Sequence, residues 1–198
     1  MEPAVHGTWI KRTRTRATPA PTRFPYPGYQ AITPGSEVRS ILIEATQRLE
    51  NEFGRGRVEP MYRLVGLLND GRMPIQTSHC STVHSQREAS PLQHTVSSAV
   101  IIMPVPFEAG PVEAVAAEGA DGLYSSLVRA AQQNKINSTG VSIHVGVIEI
   151  EFVLHGRLGY GIDLNLGGSA NSASQACYRW GRATSFVADI IEGVGVRR

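Results

Sequence analysis

The sequence is poor in cysteine and in long apolar runs, and each shortage excludes a class of protein. Two cysteines, Cys80 and Cys177, do not make a disulfide framework, so both are expected to be free, buried thiols. No apolar run approaches the roughly 20 residues that a membrane-spanning helix needs. A secretory signal peptide is not indicated either, because the apolar pair Trp9-Ile10 is followed directly by basic residues. We therefore expect an intracellular protein that is not secreted and has no transmembrane segment.

The motifs of several enzyme classes are also missing. The sequence has no G-x-S-x-G of serine hydrolases, no H-E-x-x-H of zinc proteases, no G-x-G-x-x-G and no phosphate-binding loop that ends in Lys-Ser/Thr. These absences favour a protein that is not an enzyme and that carries no cofactor.

Acidic residues are absent between Pro3 and Gly35, whereas residues 36–198 contain 14 basic and 16 acidic residues. The basic residues of the N-terminal segment are Lys11, Arg12, Arg14, Arg16 and Arg23. The segment is rich in proline and poor in aliphatic side chains, so it cannot bury enough apolar surface to offset the entropy of ordering. Residues 1–35 are therefore predicted to be a disordered, basic arm.

The arm combines two residue types that suit single-stranded nucleic acid. Its arginines match phosphate groups, and Phe24, Tyr26 and Tyr29 match base stacking. Further along the chain, Arg55 and Arg57 either extend this basic surface or belong to a turn. An anionic membrane surface would attract the same basic groups, at about 1 kcal/mol each. We predict nucleic acid, either RNA or single-stranded, as the partner, with an anionic membrane surface as the alternative.

Residues 36–198 are predicted to form a single domain whose helices are indicated by apolar residues at helical spacing. A helix over about 37–53 has a clear apolar stripe, and Gly54 marks its end. A second helix is predicted to begin at Asp121, and a third covers about 172–192. Each of these helices has one apolar face, so we expect them to cover a sheet.

The remaining apolar segments favour strands. Residues 62–68 form a short apolar run that favours a strand over a helix, and residues 99–103 have the continuous apolar character of a central strand. Pro74 predicts that the strand near 73–77 is short or lies at a sheet edge. Together with the hairpin described next, these segments predict an α+β fold, with a mostly antiparallel sheet covered by three helices.

The longest regular pattern in the sequence is the alternation of apolar residues over about 141–166, which predicts a long β-hairpin. A turn about Gly156 places Phe152 opposite Tyr160 and leaves an odd number of residues in the loop. The second strand is expected to end at Leu166, so that the following Gly-Gly-Ser sequence forms a connection to the last helix.

The same predicted register brings carboxylates together on the second face of the hairpin. Glu149 would lie directly across from Asp163, with Glu151 on the same face. A carboxylate pair of this kind can bind a metal ion or perform acid–base chemistry. The alternative, which we favour, is an ordinary solvated face.

Three of the six histidines, His79, His84 and His94, lie within residues 76–95. Cys80 and His84 have a spacing that zinc ligands use, and His79 lies beside them. No second pair completes a set of four ligands, so we predict no metal site and retain His79, Cys80 and His84 as the only metal candidates. Nucleophilic catalysis by Cys80 is a further alternative, although no surrounding signature supports it.

In layout, the chain resembles small viral structural proteins of the coat or matrix kind. The resemblance rests on the proline- and arginine-rich arm of residues 1–35, on the near-neutral domain after it and on the overall length. The helical segments differ from the jelly roll that is common among coat proteins. The resemblance implies a non-enzymatic structural protein of the virion that assembles with itself as a homo-oligomer and contacts nucleic acid through its basic arm.

Two other functions remain open from the sequence. The first is an α+β nucleic-acid-binding module that does not assemble, for which binding would depend steeply on salt without large species. The second is a small hydrolase that uses either the hairpin carboxylates or the cysteine–histidine set, for which bound metal or loss of activity on substitution would be expected.

Overall fold

The computed structural model describes residues 48–69, 75–87, 92–104, 139–152 and 157–195, together with Ser125 and Arg129. The predicted arm, residues 1–35, lies outside the described residues. Within the described ranges, no helix is both long enough and apolar enough to cross a membrane.

Four antiparallel strands form one sheet with the spatial order β1–β2–β4–β3. The strands are β1 (Ile75–Gln86), β2 (His94–Pro104), β3 (Val141–Phe152) and β4 (Arg157–Ala170). Strands β2 and β4 lie in the centre, and β1 and β3 are the outer strands. The predicted α+β class with an antiparallel sheet is confirmed, and so is the central position of the strand that contains residues 99–103.

Two helices, α1 (Arg55–Asn69) and α2 (Ala173–Gly195), pack on one face of this sheet, with α2 over β4 and β2 and with α1 beside α2 and β1. A helical segment, residues 48–53, precedes α1. It ends at Gly54, whose φ of 83° lies in the left-handed region that glycine adopts most easily. The helix end predicted at Gly54 and the last predicted helix are therefore both confirmed.

The hydrophobic core lies between the two helices and the inner face of the sheet. Ile143 pairs with Leu166 and Val145 pairs with Leu164, so alternate residues of β3 and β4 point their side chains into the same buried layer. The largest fully buried side chains are Trp180, Met61, Leu64, Leu68, Ile102, Ile162 and Leu164. Trp180 and Cys177 both lie inside this core, in agreement with their position on the apolar face of the predicted helix.

The strand predicted over residues 62–68 is wrong, because these residues belong to α1. The buried side chains of α1 recur at intervals of three and four, which is the helical period. They are Val58, Met61, Leu64, Val65 and Leu68. Gly56 precedes this pattern, and Pro60 and Gly66 interrupt it. Because such residues are typical of helix ends, the apolar run in the sequence is shorter than the helix.

The strand near Pro74 was predicted to be short or to lie at a sheet edge, and the second alternative is confirmed, because β1 is an edge strand of the described sheet. Strand β1 contains 12 residues and pairs with β2 over its whole length, with one irregularity between Thr77 and His79. The helical segment predicted from Asp121 is represented by Ser125 and Arg129, which are both helical, and its other residues lie outside the described part of the chain.

The long hairpin is confirmed, but its predicted register is wrong. Phe152 pairs with Arg157 rather than with Tyr160, which leaves an even number of residues between the strands. This register is continuous along β3, and it places Val145 and Ile143 opposite the apolar residues of β4. The core therefore takes up the odd-numbered apolar residues in the first half of β3, whereas the prediction was based on the even-numbered apolar residues in its second half.

Strand β4 continues four residues beyond its predicted end at Leu166 and includes the Gly-Gly-Ser sequence. A side chain at Gly168 would collide with backbone atoms of α2, namely the Ala176 carbonyl oxygen and the Trp180 nitrogen. The glycine is therefore required because α2 crosses the strand closely, and not because the chain turns there.

Candidate nucleic-acid interface

An open cleft of about 440 Å³ lies between the first half of α1 and the middle of α2. The helices approach closely because Gly181 is buried against Pro60 and the carbonyl oxygen of Arg57. Side chains on either side of this contact then form the walls. The cleft is lined by Gly56, Arg57, Pro60, Cys177, Tyr178, Gly181, Arg182, Ser185, Phe186 and Asp189.

Arg57 and Tyr178 form the centre of the cleft. The guanidinium carbon of Arg57 lies 5.8 Å from the centroid of the Tyr178 ring, which is a cation–π distance. Tyr178 is 53% exposed, so a large part of this residue remains accessible to a ligand. Arg182 is one helical turn further along α2 and is also exposed. The cleft therefore contains one exposed aromatic ring with the Arg57 guanidinium group over it, and Arg182 lines the same cleft one helical turn away.

The electrostatic balance of the cleft is positive. Its acidic residue, Asp189, accepts a hydrogen bond of 2.7 Å from Arg63, and Glu192 binds the same guanidinium group. These two carboxylates raise the pKa of Arg63, with the Asp189 hydrogen bond as the largest cause. Among the described residues, no carboxylate pairs with Arg57 or Arg182. The cleft therefore presents two uncompensated positive charges to solvent.

The first turn of α1 concentrates further positive charge near the cleft. It contains Arg55 and Arg57 and no acidic residue. The N-terminus of a helix carries the positive end of the helix dipole, so a cation there costs a helix about 0.3–1 kcal/mol. The arrangement is unfavourable for α1 itself and favourable for binding an anion.

The structure separates the two arginines that the sequence grouped together. Residues two apart on a helix point in different directions, and only Arg57 lines the cleft. Both belong to a helix, so the interpretation of this segment as a turn is wrong. The five basic residues predicted in the arm lie outside the described residues, so their relation to the cleft stays a prediction.

The metal candidates predicted from the sequence do not come together. Cys80 and His84 lie four residues apart on strand β1, which places them about 13 Å apart. Their spacing would suit a shared metal on a helix but not on a strand. Burial raises the pKa of the Cys80 thiol to about 12, so the thiol is protonated at neutral pH and is a poor nucleophile. The side chain of His79 lies outside the described part of the structure.

His84 instead contacts two other residues. Its Nδ1 lies 3.0 Å from a carboxylate oxygen of Glu52, and its Nε2 lies 3.3 Å from Nδ1 of His94. Within the described ranges, no three or more histidine, cysteine or acidic side chains are arranged to hold a metal ion. The two histidines are nevertheless neighbours, which the cysteine-centred interpretation of the sequence did not predict.

The predicted pairing of Glu149 with Asp163 is wrong. Glu149 pairs with Tyr160, and Asp163 pairs with Gly146. The two acidic positions are thus three residues, or about 10 Å, apart along the hairpin. Glu151 pairs with Leu158, still further from Asp163. The register removes the carboxylate pair, which was one of the two residue sets proposed for the hydrolase alternative.

Sequence reasoning missed Tyr178 and Arg182. Both lie on α2 at a spacing of four, outside the apolar stripe that was used to identify the helix. The signal was a second stripe, consisting of Tyr178, Arg182, Ser185 and Asp189, which line one side of the cleft. Its importance depends on the proximity of α1, which the sequence analysis did not identify as a helix.

Comparison of the chain with protein-family models, with curated proteins and with solved structures found no significant match in any of the three.

Proposed function

We propose that this chain is a non-enzymatic structural protein that binds single-stranded nucleic acid, RNA in the first place, and assembles with copies of itself. The observation that carries the proposal is the exposed Tyr178 ring, which Arg57 contacts, in an open, positively charged cleft that Arg182 also lines. Arginines bind phosphates and an exposed ring stacks on a base, which together match a single strand. The basic arm would supply additional phosphate contacts, and its role rests on the sequence alone.

The sheet supports the assembly part of the proposal. Strands β1 and β3 are each 12 residues long and lie at the two edges of the described sheet. An edge strand presents a row of backbone donors and acceptors that can pair with another chain. The virion location implied by the layout resemblance is part of the same proposal.

The cleft is tested by measuring the affinity of full-length protein for a fluorescent single-stranded RNA at several salt concentrations. Substituting both Arg57→Gln and Arg182→Gln removes two phosphate contacts. The slope of log affinity against log salt should then decrease in magnitude by about 1.4, since each contact to a single strand contributes about 0.7. Tyr178→Ala should weaken binding by about 1–3 kcal/mol, the range for one stacked base.

Arg87→Gln is the matched control, because Arg87 is an exposed arginine after β1 and does not line the cleft. It changes the net charge by the same amount per site and should alter the slope less than either cleft arginine does. Equal effects of Arg87→Gln and Arg57→Gln would show that only net charge matters and would contradict the cleft as the binding site.

A further inference from the structure

Glu52, His84 and His94 form a chain of polar contacts, and none of the three lines the cleft. Glu52 lies in the helical segment 48–53, His84 lies on β1 and His94 lies on β2. The two carboxylate oxygens of Glu52 lie 3.0 and 3.2 Å from Nδ1 of His84. On the other side of the same ring, Nε2 of His84 lies 3.3 Å from Nδ1 of His94.

Glu52 determines which nitrogen of His84 carries the proton. A carboxylate accepts hydrogen bonds, so Nδ1 of His84 must donate its proton to Glu52. In the neutral ring, Nε2 then carries the lone pair, and it is directed towards His94. A carboxylate that orients a histidine through its other nitrogen is the usual outer partner of a metal-binding histidine.

The separation of the two ring nitrogens matches the bite of a metal ion. Zinc–nitrogen bonds of about 2.0–2.1 Å in tetrahedral geometry place two ligand nitrogens about 3.3–3.4 Å apart. The observed separation between His84 Nε2 and His94 Nδ1 is 3.3 Å. The two rings are close to parallel, with an interplanar angle of 26° and centroids 5.5 Å apart.

The surroundings hold the His84 ring in this position. Its side chain is only 18% exposed, and the Phe53 ring packs edge-on against it at a centroid distance of 5.6 Å. Cross-strand register puts His84 opposite Val96, so His94 is its diagonal neighbour on the adjacent strand. Two histidine side chains at diagonal positions can bind the same metal ion, whereas Cys80 and His84 are too far apart along one strand to do so.

We propose that His84 and His94 form a binding site for a divalent metal ion of the zinc class, with Glu52 orienting His84. The metal binds His84 through Nε2 and His94 through Nδ1, and His94 then carries its proton on Nε2. Imidazole ligands suit zinc, copper and nickel rather than calcium or magnesium. Water molecules complete the coordination around the two imidazoles, so the affinity is expected to be lower than that of a four-ligand structural site.

The test is calorimetric titration of full-length protein with zinc chloride. One zinc ion should bind per chain, and either His84→Asn or His94→Asn should lower its affinity at least tenfold. Glu52→Gln should weaken binding about 10- to 100-fold, the range for loss of an orienting partner. His144→Asn is the matched control, because His144 is exposed on β3 and pairs with Asn165, away from the site. It should leave the affinity unchanged.

The proposal is overturned if the wild-type protein binds no zinc saturably, or if both histidine variants retain wild-type affinity. It is also overturned if His144→Asn lowers the affinity as much as the two histidine variants do.

X-ray absorption of the zinc-loaded wild-type protein provides a readout that does not depend on the folding of any variant. Scattering from two imidazoles without sulfur supports the site, and a sulfur ligand or a single imidazole contradicts it. Loss of zinc binding would leave the RNA test of the cleft unaffected, so the two proposals fail separately.

Discussion

Buried polar side chains connect the helices of this protein to its sheet. The Trp180 ring is fully buried, and its indole nitrogen donates a hydrogen bond of 2.8 Å to Ser98 on β2. At the end of α1, the Asn69 amide donates to the Val65 carbonyl oxygen, and its own oxygen accepts the backbone N–H of Thr77. Each of these groups has a partner, so their burial does not carry the cost of about 1–3 kcal/mol for an unsatisfied group.

The two cysteines illustrate what burial does to an ionisable residue. Burial raises the pKa of the Cys80 thiol to about 12 and that of Cys177 to about 11. For Cys177, Arg57 opposes this rise and Glu52 adds to it, both to a smaller extent than burial. The sequence predicted free, buried thiols, and the structure confirms that both cysteines are free and that Cys177 is buried. Cys80 is partly buried and packs against the core, although some of its surface stays accessible.

These raised pKa values predict a loss of stability at alkaline pH. An unfolded thiol loses its proton near pH 8.5, whereas the folded thiols keep theirs, so the free energy of unfolding falls as pH rises from about 9 to 11. Each thiol contributes a slope of at most about 1.4 kcal/mol per pH unit. Urea unfolding at pH 8 and pH 10 should show a smaller decrease for the Cys80→Ala/Cys177→Ala double variant than for the wild type. Equal decreases would contradict the raised pKa values.

At the scale of elements, the sequence was informative where one pattern dominated a segment. Helix α2 has a long apolar stripe, and β2 has a continuous apolar run, so both were predicted correctly. Helix α1 was not predicted, because Gly56 and Pro60 interrupt the helical spacing of its apolar residues. The prediction of the hairpin register failed for a different reason. The apolar residues of β3 have odd numbers in its first half and even numbers in its second half, and only packing against the helices selects one of the two sets.

The contact between β4 and α2 yields a prediction with an internal control. Gly168→Ala would force a methyl group into the backbone of α2, which cannot move as a flexible side chain can. We expect it to destabilise the protein by about 3 kcal/mol, the upper end of the usual range for overpacking. Gly193→Ala, in the same helix α2 but with open space around it, should stabilise the protein by up to about 1 kcal/mol. The measurement is urea unfolding of both variants, and similar effects of the two would contradict the close approach.

At the scale of the whole molecule, the two candidate sites are built from different residues and different elements. The cleft lies between α1 and α2, and the histidine pair joins β1 and β2 next to the helical segment 48–53. The sequence predicted the positive charge at Arg57 but neither site in full. Each site depends on residues that are far apart in the chain, such as Arg57 and Tyr178, and periodicity alone does not bring such residues together.

The overall distribution of charge supports the proposal that the basic arm anchors nucleic acid electrostatically while the cleft makes more specific contacts. Residues 36–198 are near neutral, so the cleft is a local concentration of positive charge and not a consequence of a basic domain. The arm carries the remaining excess of basic residues. Phosphate contacts from such a segment increase affinity without sequence preference, while the stacked ring would hold the strand in place.

The measurement that tests this account most directly is the light-scattering mass of the full-length protein with and without short single-stranded RNA. The account predicts large, defined species when RNA is present. A full-length variant with glutamine at Lys11, Arg12, Arg14, Arg16 and Arg23 should form fewer of them at the same concentration, because it has lost the phosphate contacts of the arm. If the wild-type protein remains monomeric and its mass is unchanged by RNA, the proposal of a nucleic-acid-binding, self-assembling structural protein is wrong.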